Sequence, residues 1–372
     1  MQLKPLPHWV ATPNALQGMI DTLGAAERVA FDTEYDSFKR GYGFKLLLLQ
    51  FTDGESVFVV DPLSGMSMEP LWRYLERDDQ QKIVYSGSED IALLKAMGCS
   101  IRNIFDVQIA ATLSNHEARN LAGLIEAETG DILDKSEQQS DWSRRPLRSE
   151  QLTYAANDVV HLMELKDSLL ERVENRQLTH VLAVENRALE HIEPRSHTPK
   201  LKPYHYRQYS DAFCASLLEL MEWRDGVARR FDLPPVHIVD VLPLERALQA
   251  PQEFLRSGAF QGFHYKIKND SDLRKQVEAI VRAYDPLDET RTRERKPRKP
   301  FYSKEEIEQL STSLCLPFKQ LAVDRYGELT TEYLLRGLKK LVTTMDPDLS
   351  DLKPYQLELY TCMLEGKPWP WQ

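Results

Sequence analysis

The chain has 372 residues, 42% of them apolar, and a formal net charge of −10. That length carries one to three domains with ordinary cores, and no apolar run approaches the roughly 20 residues needed to cross a bilayer. The start MQLKPLPHWV lacks the features of a secretion signal, so a soluble, cytoplasmic protein with no membrane partner is expected.

The four cysteines, Cys99, Cys214, Cys315 and Cys362, lie far apart and make no metal-ligand spacing, and reduced structural thiols are expected. All of the net negative charge falls in residues 1–200, whereas 201–372 is neutral. Such acidity excludes indiscriminate polyanion binding. An acidic module still handles nucleic acid if bound cations offset its carboxylates.

In chain order, residues 1–175 alternate helix and strand signals. A helix is expected at Pro13–Leu23 and a strand at Val29–Asp32. Strands follow at Lys45–Phe51 and Ser56–Val60, with Asp53-Gly54 between them as a hairpin turn, which predicts a mixed sheet. A helix at Met68–Leu75, a strand at Lys82–Tyr85 and helices at Ser88–Met97 and Val107–Leu113 come next. The class is α/β with a three-layer core. From Ser149 the pattern turns helical, with Leu152, Ala155, Ala156, Val159, Val160, Leu162 and Met163 at helical spacing.

A Pro- and Lys-rich linker is expected over 191–206, closing a domain of residues 1–190. Residues 207–285 read as helices with a turn at Pro234-Pro235. A basic linker spans 286–300; six of the nine residues in Arg291–Lys299 are basic. A last helical unit, 301–372, opens at Ser303-Lys304-Glu305-Glu306 and ends in PWPWQ.

The acids carry the chemistry. Asp32 and Glu34 are two apart on a strand and leave the same face. Burying two unpaired carboxylates is costly, and a divalent cation relieves both. Oxygen-only ligation suits Mg²⁺ or Mn²⁺ over Zn²⁺. Tyr154 and Asp158 stack one turn apart on a helix with apolar neighbours. Asp90 opens the helix after the Lys82–Tyr85 strand, beyond a strand end, where ligands of open α/β sheets bind. Asp36, third acid of FDTEYDS, is expected to be a solvated bystander on a strand that has ended.

Asp-x-Glu on a first strand, a later Asp, and Tyr-x-x-x-Asp on a helix resemble the DEDDy 3′–5′ exonucleases. The stretch DKSEQQSDWSRRPLRSEQLTYAAND, residues 134–158, closely resembles the ribonuclease D branch, and Val60-Asp61-Pro62-Leu63 and Ser88-Glu89-Asp90 fit it too. This resemblance covers roughly residues 8–175. Glu222-Trp223-Arg224-Asp225-Gly226 followed by Leu233-Pro234-Pro235 is similar to the start of an HRDC domain. By analogy with the family layout, 301–372 is a second, HRDC-like unit. Two departures stand out: Tyr85 replaces a His common in relatives, and GYGFKLLLLQ lacks a proline common there.

The resemblance implies a ribonuclease H-like mixed sheet flanked by helices, followed by one or two all-α HRDC-like domains. It implies a two-metal hydrolysis of phosphodiesters at the single-stranded 3′ ends of structured RNA, with tRNA processing as the expected role. Carried over residue by residue, Asp32 bridges two Mg²⁺ or Mn²⁺ ions, and Glu34 and Asp158 hold one of them. Asp90 supports the other, and Tyr154 orients the water. Trp142, Arg144 and Arg145 suit stacking on bases and pairing with phosphates; packing in the core and answering local acids fit equally well. A DNA 3′–5′ exonuclease and a non-catalytic RNA-binding scaffold remain as alternatives, because 2′-OH contacts leave no motif.

Overall fold

The protein is described from a computed structural model that covers residues 7–118, 120–258, 260–288 and 302–371. The basic run 291–299 lies outside the described residues. The chain divides into two compact units.

The first unit takes residues 7–34, 46–195 and 302–371 of those described. Its elements begin with β1 (His8–Val10) and α1 (Pro13–Leu23), then β2 (Arg28–Ser37), β3 (Phe44–Thr52) and β4 (Val57–Val60). Next come α2 (Glu69–Leu75), β5 (Gln81–Val84), α3 (Ser88–Ala96), β6 (Ile104–Asp106), α4 (Val107–Leu113) and α5 (Leu121–Thr129). The helices α6 (Ser149–Val160), α7 (Leu162–Asn175) and α8 (Thr179–Leu189) close this part.

The sheet has the order β1-β4-β3-β2-β5-β6. Only β3–β4 among the registered pairs is antiparallel; β1–β4, β2–β5 and β5–β6 are parallel. The Asp53-Gly54 hairpin is the cause: Asp53 Oδ1 accepts from Glu55 N and Ser56 N at 2.9 and 2.8 Å, and Gly54 takes φ 98°. Helices flank the sheet. Ala30, Val57, Ile83 and Phe105 pack with Ala110, Leu165 and Leu182, and Leu47, Leu48 and Val59 pack with Ala155 of α6.

Two expectations are corrected here. β2 runs to Ser37 instead of ending at Asp32, because its second half continues as a hairpin arm; Phe38 N donates to Gly43 O at 3.0 Å across the turn. The helix expected from Ser149 is broken at His161, between α6 and α7. Its apolar spacing runs through the break, so periodicity alone sees one helix.

A second unit comprises Tyr35–Lys45 and residues 196–288. It holds α9 (His205–Gln208), α10 (Asp211–Phe231), α11 (Pro235–Ile238), α12 (Val241–Gln249), α13 (Pro251–Ser257), α14 (Tyr265–Lys268) and α15 (Ser271–Ala283). Leu217, Leu220, Ala228, Ile238, Leu244 and Val277 form its core. The segment Tyr35–Lys45 is pinned to α10: Tyr42 OH donates to Asp225 at 2.6 Å, and Lys45 pairs with Asp232 at 2.6 Å.

The last helices rejoin the first unit. They are α16 (Lys304–Leu310), a π-turn over Ser311–Cys315, α17 (Leu316–Leu334), α18 (Leu338–Val342) and α19 (Pro354–Leu364). Ser303 and Glu306 make a capping box at the start of α16, at 3.1 and 2.7 Å. Phe318, Tyr326, Leu359 and Trp369 share one apolar cluster with Leu113 and Leu165.

Polar contacts then fix the docking. α17 breaks at Gly327 (φ 77°), and side chains from elsewhere in the unit satisfy the freed groups. Leu329 N donates to Asn115 Oδ1 at 3.0 Å, and Arg176 Nη1 donates to Tyr326 O at 2.8 Å. Glu185 of α8 receives Tyr355 OH at 2.6 Å, Tyr333 OH at 2.8 Å and Lys353 Nζ at 2.5 Å.

Burial opposes ionisation of Glu185, yet the bonds from Lys353, Tyr355 and Tyr333 together hold its carboxyl below its ordinary value. The stabilisation is therefore complete above that ordinary value and is lost as pH falls through the lower folded one. Glu185→Gln is expected to cost about 1–3 kcal/mol at neutral pH. In thermal unfolding, the gap to wild type should be constant near neutrality and close in acid. A gap that widens in acid would contradict this clamp.

Candidate active site

β2 lies at the middle of the sheet, between β3 and β5. It carries Asp32 and Glu34 with side chains to one face. Thr33, 6% exposed, points the other way, and its Oγ1 donates to Asp90 Oδ1. Asp90 stands in the first turn of α3, just past the end of β5. Asp158 comes from α6, one turn beyond Tyr154.

Carboxylate oxygens of Asp32, Glu34 and Asp158 all lie within 4.8 Å of one another. Asp90 is not in that set but acts on it, since its charge is the strongest of those raising Asp32. Among the described residues, no basic side chain pairs with any of the four.

The electrostatics follow. Burial, then the charges of Asp90, Asp158 and Glu34, push the Asp32 carboxyl well above its usual range. Burial, Asp158 and Asp90 push Glu34 up to about 8. Burial raises Asp158 against the bond it receives from Tyr154, and raises Asp90 against the bond from Thr33. Tyr154 is pushed up by burial and by Asp158, Glu34 and Asp32, so its phenol stays protonated at neutral pH. A cluster of oxygen donors with unrelieved negative charge, and no Cys or His in the set, fits hard divalent cations.

The substrate contacts expected at Trp142 and Arg145 are corrected. Trp142 is only 3% exposed, packed with Leu47, Leu48, Val59 and Ala155, and offers no face to a base. Its ring centre lies 5.9 Å from that of Tyr154, so it backs the tyrosine. The Arg145 guanidinium is fully committed. Nε and Nη2 pair with both oxygens of Asp61 at 2.8 and 2.6 Å, Nη2 also donates to Leu47 O, and Nη1 donates to Trp142 O and Arg144 O. This knot ties the loop before α6 to the sheet. Arg144 alone of the three presents its side chain to solvent, 83% exposed, beside Asp141 at 3.2 Å.

Asp36 is corrected as well. It is 3% exposed, not solvated, because the hairpin folds back and Arg40 N donates to its Oδ2 at 3.1 Å.

Three further residues matter to the site: Thr33, Asp61 and Asp106. Asp61 was visible only as part of Val60-Asp61-Pro62-Leu63. Asp106 had a usable signal, an Asp after a short apolar run at a helix start, where its Oδ1 accepts from Gln108 N at 2.8 Å.

A family described as 3′–5′ exonuclease matches residues 7–174. Ribonuclease D of Xanthomonas oryzae is 34% identical over 240 residues, 63% of this chain and 66% of that protein. Ribonuclease D of Escherichia coli is 33% identical over 167 residues, 44% of each chain. The chain belongs to the ribonuclease D family. Each of these alignments spans less than two thirds of the relative's length. The crystal structure of Escherichia coli ribonuclease D superposes with a TM-score of 0.71 over 98% of this chain and all of that one, at 23% identity, so the ribonuclease D fold extends through the helical C-terminal region.

The knot and the cluster respond differently to substitution. Arg145→Lys should lose about 2–4 kcal/mol, since a lysine leaves the buried Asp61 and carbonyls underbonded, whereas Arg144→Lys should stay within about 0.5 kcal/mol of wild type. Asp158→Asn should raise the unfolding midpoint of the metal-free protein by removing one repelling charge. It should also remove most of the Mg²⁺-induced stabilisation, which for wild type is about 2.7 kcal/mol at 100 times the dissociation constant. Calorimetric melts with and without Mg²⁺ measure both.

Proposed function

We propose that the protein is a metal-dependent 3′–5′ exoribonuclease acting in the cytoplasm on the single-stranded 3′ ends of structured RNA, tRNA precursors among them. The convergence of Asp32, Glu34 and Asp158 from two separate elements, without a basic counter-charge among the described residues, carries the reading. Escherichia coli ribonuclease D, which shares the fold, is itself described as an exoribonuclease involved in structured RNA processing. In this reading 207–285 is an HRDC domain and 301–372 a second HRDC-like unit.

Asp32, Glu34 and Asp158 would hold one divalent ion, and Asp32 with Asp90 a second. Such ions supply Lewis-acid stabilisation of charge on the phosphate and ease deprotonation of water. The chain's own residues do the rest. Tyr154, protonated and bonded to Asp158, cannot serve as a base near neutrality. It orients a water by hydrogen bonding, and Trp142 holds its ring in place. Thr33 fixes one oxygen of Asp90.

Asp32→Ala should abolish release of nucleotides from a 3′-labelled RNA in Mg²⁺, by at least about a thousandfold, as expected for losing a shared metal ligand. Tyr154→Phe should slow it about 10²–10⁴-fold while leaving Mg²⁺-induced stabilisation in place. Wild-type rates with the Asp32→Ala protein would overturn the assignment. Matched RNA and DNA oligomers, degraded side by side, test the sugar preference.

A further inference from the structure

Asp106 is a buried carboxylate, 3% exposed, that no part of the proposed chemistry uses. It ends β6 and is registered opposite Val84, the last residue of β5. Past Val84 the chain turns through Tyr85, Ser86 and Gly87 into α3, which carries Asp90.

That turn has an uncommon shape. Ser86 adopts the left-handed conformation, φ 56°. Gly87 has no space for a side chain, because a Cβ there would lie 2.6 Å from Val84 Cγ2. No side chain of its own caps α3. The carboxylate of Asp106 takes that place from outside the segment: Oδ1 accepts from Ser86 N and Oδ2 from Gly87 N, both at 3.0 Å. Oδ1 also accepts from Gln108 N at 2.8 Å, so a single side chain fixes the starts of both α3 and α4. The backbone of Asp106 is held in turn, its N–H donating to Asn186 Oδ1 of α8 at 3.1 Å.

We propose that Asp106 is a positioning residue for Asp90: by gripping two successive amides of the turn that launches α3, it sets where the Asp90 carboxylate stands beside Thr33 and Asp32. Strained turns persist when the surroundings over-determine them, and here the two bonds to Asp106 do so. Without the carboxylate, Ser86 relaxes toward ordinary φ and the first turn of α3 shifts. Asp90 then loses its alignment, while Asp32, Glu34 and Asp158, held by β2 and α6, keep theirs. The inference rests on the reading of Asp90 as a support for the second ion.

The test uses the full chain and Mn²⁺ alone as probe. Binding is followed by the paramagnetic resonance of free Mn²⁺ without RNA, and the Mn²⁺ dependence of RNA cleavage is measured in parallel. Asp106→Ala is expected to weaken the second Mn²⁺ binding event more than tenfold, leave the first within twofold, and raise the half-saturating Mn²⁺ for cleavage to match. Asp90→Ala should do the same, and the double variant should be no worse than Asp90→Ala, because both act through one carboxylate. Leu244→Ala, which opens a cavity in the core of the second unit, should lower the melting temperature without moving either Mn²⁺ constant.

If Asp106→Ala does not fold, Asp106→Asn keeps one accepting oxygen and should show a smaller shift in the same direction. Wild-type Mn²⁺ binding in a folded Asp106 variant, or a double variant in which the effects multiply, overturns the proposal. An Asp90→Ala protein with unchanged Mn²⁺ binding overturns the metal reading itself, and this inference with it.

Discussion

Everything around the site answers one electrostatic problem: half-buried and buried carboxylates held together, with no basic partner among the described residues. Two like charges 4–5 Å apart repel by about 3–4 kcal/mol at an effective dielectric near 20. Asp32, Glu34 and Asp158 meet within that range, with Asp90 close enough to raise Asp32. A chain left to itself would separate or protonate such groups. The fold prevents separation, and burial first, then the charges of Asp158 and Asp90, raises the proton affinity of Glu34 instead. The same repulsion favours divalent cations.

The bracing differs in kind from what it braces. The site acids are short of partners, whereas Arg145 behind them is saturated and Trp142 is tightly packed. Arg145 uses all of its donor groups on Asp61 and three carbonyls. Trp142 fills the space between sheet and α6 beneath Tyr154. Such groups are rigid because moving any of them leaves a buried polar atom unpaired or opens a cavity. Rigidity is needed here because like charges exert a steady outward force.

The sequence showed the site acids because they break a local rule: acids following an apolar strand run and on an apolar helix face ask for an explanation. The α/β class and the hairpin at Asp53-Gly54 were readable for the same reason, since turn chemistry and period are local. Arg145 and Trp142 were not, because their meaning lies in partners far along the chain; Asp61 is 84 residues from Arg145. Locally, an aromatic beside two arginines suits a nucleic-acid surface as well as a buried knot. Burial decides between the two, and burial is a tertiary fact. β1 and β6, three residues each, are too short for any periodicity to register.

The seven residues of α4 connect regions that the sequence kept apart. At its start, Asp106 grips the turn before α3 and thus the helix of Asp90. Just past its end, Asn115 caps the broken helix α17, while Thr330 Oγ1 of α17 donates to Thr112 O at 2.8 Å. A cap supplied by another segment is satisfied only when both segments are in place. The C-terminal helices therefore brace the same short helix whose N-cap, Asp106, sets the Ser86–Gly87 turn. Gly327 is the hinge of this arrangement: its φ of 77° opens α17 toward Asn115, and a Cβ there would sit 2.4 Å from the Asn115 side chain. The last 70 or so residues thus share a core and a hydrogen-bonded scaffold with the exonuclease sheet, and packing on α4 is the physical link between them and the candidate site.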